Sequence, residues 1–353
     1  MKTKLTLKMM LVLMILSLLP AMVMAQDGGT ATPDPLGGAT EFAKADERTS
    51  VKLMLDWTPN TNHTGFYVAQ ALGYYDEANL DVEIIEPVDT LVEAALDAGI
   101  VEFGVGFQDF TTYALVDGSE VISVAAIIQH NTSAFATIAA NHPVDGPADL
   151  AALTYGGFSQ PDLENAILAR LLECNGATWD DSHYVDIGYS DPIELMNAER
   201  VDFSWIFYGW QGIQAQVDGT ELDAVMFQDY LDCVPDYYTP ILLTTQTMID
   251  EQPDVVAAFV QATARGYAYA IENPDAAAQI LLDAVPELDA DLVTQSAEWL
   301  ANQYMADAPR WGQQNAEVWQ GFTDFLIENG IIEGPFDTSS VFTNDFLPGT
   351  VAE

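Results

Sequence analysis

Leu55-Asp56-Trp57-Thr58-Pro59-Asn60-Thr61-Asn62-His63-Thr64-Gly65 is the stretch around which the rest of the chain can be arranged. Residues 51–55 before it alternate as a strand does, and the apolar run 66–73 after it reads as a helix stopped by Gly73. Between them a Trp, two Asn, a His and a Pro fall within residues 57–63. A strand-to-helix loop at the carboxyl end of a parallel sheet is where α/β proteins place ligand sites. On composition alone, a polar turn with one aromatic packed beneath it reads the same way.

The alternation continues outward from this loop. Residues 81–85 read as a strand stopped by Pro87, and 90–99 as a helix with Leu91, Ala94, Ala95 and Leu96 on one face. Residues 101–106 form the next strand and 108–115 the next helix. Residues 121–129 are a nearly continuous apolar strand suited to a sheet covered on both faces. This rhythm predicts a parallel sheet with right-handed crossovers.

A second unit follows Ala136-Thr137-Ile138, with strands over 153–155, 184–187, 201–207 and 222–227 and helices over 161–174 and 192–198. Residues 237–244 read as a returning strand. Beyond it the spacing predicts helices over 253–271, from Asn273-Pro274 onward, over 292–305 and over 315–329. Two α/β units, the second inserted into the first and joined by extended crossings near 132–138 and 236–244, make a clamshell with a ligand cleft and a hinge. The first lobe is assigned to 51–135 plus 239–353 and the second to 136–238.

The amino-terminal 25 residues have the pattern of a signal peptide. Lys2, Lys4 and Lys8 precede an apolar core, and Val23-Met24-Ala25 offers small residues for cleavage. Residues 26–50, rich in Gly, Pro and Asp, are expected to be a flexible spacer. The protein is therefore expected to be exported, to the periplasm or the outer face of the cytoplasmic membrane.

The chain carries 54 acidic and 10 basic residues, a formal charge of −44. Removing the leader deletes three lysines and no acid, leaving 54 acids against seven bases. No Lys or Arg stands between Lys52 and Arg170. Such a surface repels phosphate backbones, which excludes nucleic acid, and it lacks the Arg cluster that would clamp a highly anionic ligand. Cys174 and Cys233 are the only thiols. Export permits a disulfide between them, and their spacing leaves the question open.

The Asp56-to-Gly65 block, followed by Gly73-Tyr74-Tyr75 and Leu80-Asp81-Val82, resembles the thiamine-pyrimidine-precursor family. Gly106-Phe107-Gln108, Ile128-Gln129-His130-Asn131, Gly156-Gly157-Phe158, Pro192 to Met196 and Trp210-Gln211-Gly212 fit its binding proteins. The likeness spans roughly 51–329. It implies a two-lobed type II periplasmic-binding-protein fold with parallel-rich sheets flanked by helices. It further implies the substrate-binding component of an ABC importer, a monomer that captures a thiamine pyrimidine precursor and hands it to a membrane permease. Riboflavin or another heteroaromatic ring is the alternative cargo.

The family also contains fungal pyrimidine synthases, which use a cysteine-rich iron-binding segment and a pyridoxal phosphate held by lysine. Two isolated cysteines and the absence of any lysine after Lys52 depart from that pattern, so neither catalytic residues, a metal nor a cofactor is expected.

Given the resemblance, Trp57 is expected to stack on a flat ligand and Asn60 to meet ring nitrogens, unless it and Asn62 only cap the next helix. His63 reads as a neutral imidazole near the cleft, since no pair of the four histidines has metal-ligand spacing. Tyr67 lies on the following helix. Gln108 and Gln129 follow apolar strands and would place amides at the cleft. Phe158 would form the opposite wall, and Glu164 would accept from an amino group. Tyr208, Trp210 and Tyr237 lie in loops beside the hinge or cleft.

Overall fold

The computed structural model describes residues 34–87, 90–188 and 190–349. The leader expected over 1–25 and the first part of the expected spacer lie outside these residues. Ten strands are present among them: β1 Thr49–Met54, β2 Leu80–Ile85, β3 Phe103–Gly106, β4 Val121–Ala126, β5 Ser133–Ile138, β6 Tyr155–Gly157, β7 Tyr184–Asp186, β8 Phe203–Phe207, β9 Leu222–Met226 and β10 Ile241–Thr245. They form two five-stranded sheets, ordered β2-β1-β3-β10-β4 and β7-β6-β8-β5-β9. Helices cover both faces of the first sheet, as the uninterrupted burial of β4 requires.

The parallel sheet expected from the strand–helix rhythm is only part of the outcome. β1 pairs in parallel with β2 and β3, but β10 runs antiparallel between β3 and β4. In the second sheet, β5 runs antiparallel to both β8 and β9. The reason is topological. β5 and β10 are the strands delivered from the other lobe, so each enters its sheet from the end opposite to the strands returned by local helical crossovers.

Two boundaries shift. Residues 133–138, expected as a crossing, are the fully buried strand β5, so the first crossing is residues 127–132. The assignment of 239–353 to one lobe also changes. In helix Ala316–Glu328, Trp319 packs among first-lobe residues such as Met54 and Val121. One turn later Phe322, Phe325 and Leu326 pack against Phe135, Leu163 and Trp205 of the second lobe. That helix is a third connection between lobes. The chain then returns to the first sheet, where Phe342 bridges to Ser123.

Residues 34–50 are not the spacer expected of them. Ala45 is buried, the Ala43 amide donates to Gln261 at 2.7 Å, and the Trp311 amide donates to the Pro35 carbonyl at 3.0 Å. The segment is packed onto helix Pro253–Glu272 and the carboxyl-terminal region. Cys174 and Cys233 form a disulfide, tying the end of helix Pro161–Cys174 to the chain that leads into the second crossing.

His130, in the first crossing, pairs through Nδ1 with Asp236 of the second crossing at 2.6 Å and through Nε2 with Asp307 at 2.8 Å. Asp236 also accepts from the Asn131 and Tyr237 amides. The hydrogen bond to Asp236 raises the imidazole pKa to about 9, with Asp307 helping and burial opposing. A pKa raised above the unfolded value of 6.5 gives stability that is complete below that pH and is lost as pH rises through about 9. Denaturant unfolding from pH 6 to 10 should therefore show a fall in stability of the order of a charge-assisted hydrogen bond, ~1.5–3 kcal/mol. His130→Gln should flatten it. An unchanged profile in that variant would mean the decline has another source.

Candidate ligand-binding site

The loop after β1 is held from within. Asn60 caps the single 3-10 turn Thr61–His63: its Oδ1 accepts from the Asn62 amide at 2.9 Å, and its own amide donates to His63 Nδ1 at 3.2 Å. Because Nδ1 accepts, the ring proton sits on Nε2, which donates to Asp56 Oδ1 at 2.5 Å. His63 is a fully buried imidazole that orients a carboxylate. From below, the hydroxyls of Tyr267 and Tyr304 donate to the carbonyls of Asn62 and Thr61. Ser296 then links Thr61 to the Gly209 carbonyl of the second lobe.

Opposite this loop lies a cavity of about 320 Å³ between the lobes. The carboxyl ends of β1, β2, β3, β6, β7 and β8 all reach it, as the rule for open α/β sheets requires. Its walls are aromatic: Trp57, Phe107 and Phe110 from the first lobe, Phe158, Trp205, Phe207 and Trp210 from the second, and Tyr237 from the second crossing. Phe107 and Phe207 face each other across the lobes, centroids 6.2 Å apart and planes within 11°.

The polar groups are acidic or neutral. Asp56, Glu93 and Asp109 line the cavity with Asn60, Asn62, Ser204 and Gln211, and no Lys or Arg is among the described lining residues. Burial drives the Asp109 pKa up to about 7; the Phe110 amide and its own amide oppose this, and Glu93 adds to it. Burial likewise raises Glu93, against its own amide and the Thr111 hydroxyl, which donates to it at 2.8 Å. The site is chemically suited to a flat ring that offers N–H donors or positive charge at its edge.

Of the residues expected from sequence, Trp57, Asn60, Phe158, Trp210 and Tyr237 line this cavity. The other six are used elsewhere. His63 is covered by Asp56. Gln108 is fully buried, its Oε1 accepting from the Tyr238 amide at 2.8 Å, so it pins the second crossing instead. The Gln129 side chain does not line the cavity and hydrogen-bonds the Tyr238 side chain, while its backbone N–H donates to the Gln303 carbonyl at 3.1 Å. Tyr67 packs among the helices around Leu281, where burial raises its pKa to about 12. Tyr208 lies against Trp299 and accepts from Gln216.

Glu164 sits behind Phe158. It accepts from the Tyr155 hydroxyl at 2.5 Å, the Tyr184 hydroxyl at 3.1 Å, and the amides of Phe158 and Gln160 at 3.1 and 2.8 Å. Sequence reading missed Asp56, Glu93, Phe107, Asp109, Trp205 and Phe207 as wall residues. The signal for Asp109 was present: it follows Gln108 at the same strand end, and one residue of helical phase decides which of the two faces the cavity.

Two α/β lobes with a cavity at their strand ends, and a returning strand β10 inserted antiparallel in the order β2-β1-β3-β10-β4, define a type II periplasmic-binding-protein fold. The solved aliphatic sulphonate-binding protein SsuA of Escherichia coli has this fold. It aligns with a TM-score of 0.65 at 15% identity, covering 86% of this chain and 95% of that one. Residues 60–277 match the family model described as NMT1/THI5 like, and the chain belongs to that family.

The formylaminopyrimidine-binding protein of Halalkalibacterium halodurans is 28% identical over 314 residues, 86% of this chain and 93% of that protein. The riboflavin-binding protein RibY of Chloroflexus aurantiacus is 24% identical over 309 residues, 85% of this chain and 86% of that protein. The 4-amino-5-hydroxymethyl-2-methylpyrimidine phosphate synthase of Legionella pneumophila is 24% identical, covering 88% of this chain and 96% of that protein.

Proposed function

We propose that this protein is the extracytoplasmic receptor of an ABC importer, that it captures an aminopyrimidine of the thiamine-precursor type, and that it delivers it to a membrane permease. The observation that carries the reading is the cavity wall: eight aromatic rings and three carboxylates, with no cation among its described residues. A flavin's pyrimidinedione edge presents two carbonyls flanking a single N–H, so a carboxylate there meets carbonyl lone pairs beside the donor, whereas an amino group next to a protonated ring nitrogen offers it donors alone. The similarity to a formylaminopyrimidine-binding protein supports the same cargo. The lysine-flanked apolar leader over 1–25 supports export.

The reading is of a receptor and not a synthase. No lysine is among the described residues of the cavity wall to hold a carbonyl cofactor, and the two cysteines are bonded to each other. Mass spectrometry of small molecules released from the denatured native protein is expected to find an aminopyrimidine. Recovery of a flavin, or preference for riboflavin in direct competition, would overturn the ligand. Formation of a pyrimidine from iron, pyridoxal phosphate and oxygen, with loss of a histidine, would overturn the receptor.

A further inference from the structure

Two polar atoms of wall residues are buried and have no hydrogen-bond partner among the described residues: Oδ1 of Asp109 and Nε1 of Trp205. They belong to opposite lobes. Asp109 is in the first turn of helix Gln108–Val116, directly after β3, and Trp205 is in the middle of β8. Such a group has lost its water without gaining a replacement bond, so native proteins keep few of them without a use.

The surroundings of both side chains are otherwise occupied. The Trp205 ring is held by Phe135, Phe158 and Phe227, the last two at centroid distances of 5.2 and 4.7 Å, and none of them can accept its N–H in the plane. The titratable groups that act on Asp109 are Glu93, from the helix Val92–Asp97, Tyr113 on its own helix and Tyr237 in the second crossing. None of these is a cation.

We infer that Asp109 and Trp205 are the specificity-determining pair of the site: Asp109 takes the amino edge of the ring, and Trp205 donates to an oxygen substituent at the other edge. This rests on the aminopyrimidine reading and adds to it the two atoms that recognise the ligand and the lobes they close together. A carboxylate facing an amino group beside a ring nitrogen makes the two-point pairing that Arg makes with carboxylates, with the charges exchanged. The proton balance is internal. A protonated Asp109 gives its proton to the ring nitrogen and its oxygens accept from that N–H and the amino group, so no proton enters or leaves. Above the pH where free Asp109 ionises, about 7, the ring must instead take its proton from water, and affinity falls.

The test is calorimetry on the full mature chain with three probes. These are 4-amino-5-hydroxymethyl-2-methylpyrimidine, its analogue with methyl in place of the amino group, and its analogue with no oxygen on the side arm. Asp109→Asn should weaken the first probe about tenfold or more and leave the methyl analogue within about twofold of wild type. Trp205→Phe should weaken the first probe and leave the oxygen-free analogue unchanged. Wild-type affinity for the amino probes should fall with pH above about 7, and affinity for the methyl analogue should not. This last arm needs no variant to fold.

Asp109→Asn binding the amino probe as wild type does would overturn the pair while leaving the receptor reading intact. So would equal weakening of all three probes by either substitution, or a flat pH profile. If wild type binds none of the probes, the aminopyrimidine reading falls, and the pair with it.

Discussion

Gly266→Ala is expected to be the most damaging single-methyl change in the molecule. A Cβ built at Gly266 would lie 1.9 Å from the Gly65 carbonyl oxygen and 3.1 Å from the Ala69 Cβ, at the contact between helix Thr64–Ala71 and helix Pro253–Glu272. The obstacle is backbone, so no rotamer relieves it. The reciprocal position is as tight, because a Cβ on Gly65 would fall 2.3 Å from the Tyr267 ring.

Alanine would gain up to ~1 kcal/mol of helix propensity, but overpacking of this kind costs ~1–3 kcal/mol, and more where the backbone must move. We expect a net loss of about 3 kcal/mol, or Tm lower by roughly 6–12 °C in thermal unfolding. The shorter helix begins where the Asp56-to-His63 loop ends, so ligand affinity should fall as well. An unchanged Tm would mean that the two helices are not in this contact.

Glu164→Gln is expected to weaken the fold more than it weakens ligand recognition. The carboxylate is fully buried and each oxygen accepts two hydrogen bonds, from Gln160 and Tyr184 on Oε1 and from Phe158 and Tyr155 on Oε2. Burial raises its pKa, with the Tyr155 hydroxyl and the two amides opposing. An amide keeps one acceptor oxygen and puts an NH2 against the other pair of donors. The tyrosine on that side can turn its hydroxyl, but the backbone N–H cannot. Loss of charge-assisted bonds here should cost ~2–3 kcal/mol in denaturant unfolding. Binding should weaken only as far as Phe158, whose amide Glu164 holds, loses its place in the cavity wall. Normal stability with ring binding abolished would instead mean that Glu164 touches the ligand, as its position in the sequence first implied.

Much of the fold was legible. The helix over 161–174 has the bounds its Pro and Cys ends predict, and every strand of the βα rhythm is present within a few residues. Legibility failed where an element's partner lies far away in sequence. Nothing local in 241–245 says that β10 inserts between β3 and β4, because its neighbours are more than a hundred residues upstream. Residues 34–50 looked like a spacer for the same reason. Their burial depends on Gln261 and Trp311, and polar composition alone cannot register such contacts.

The candidate site divides along the same line. The sequence by itself determined the architecture class, the strand-end loops that carry cavity-facing groups, and the aromatic character of a wall with no cation among its described residues. Those properties reside in residue type and period, and each is local. Only the tertiary structure decided which side chain of each loop faces the cavity: Asp109 and not Gln108, Phe158 and not Glu164, Asp56 with His63 behind it. Adjacent residues at a helix start point about 100° apart, and both directions are buried, one against the core and one against the cleft. Hydrophobic period separates inside from outside. It cannot separate two insides, and that choice is made only when the lobes meet.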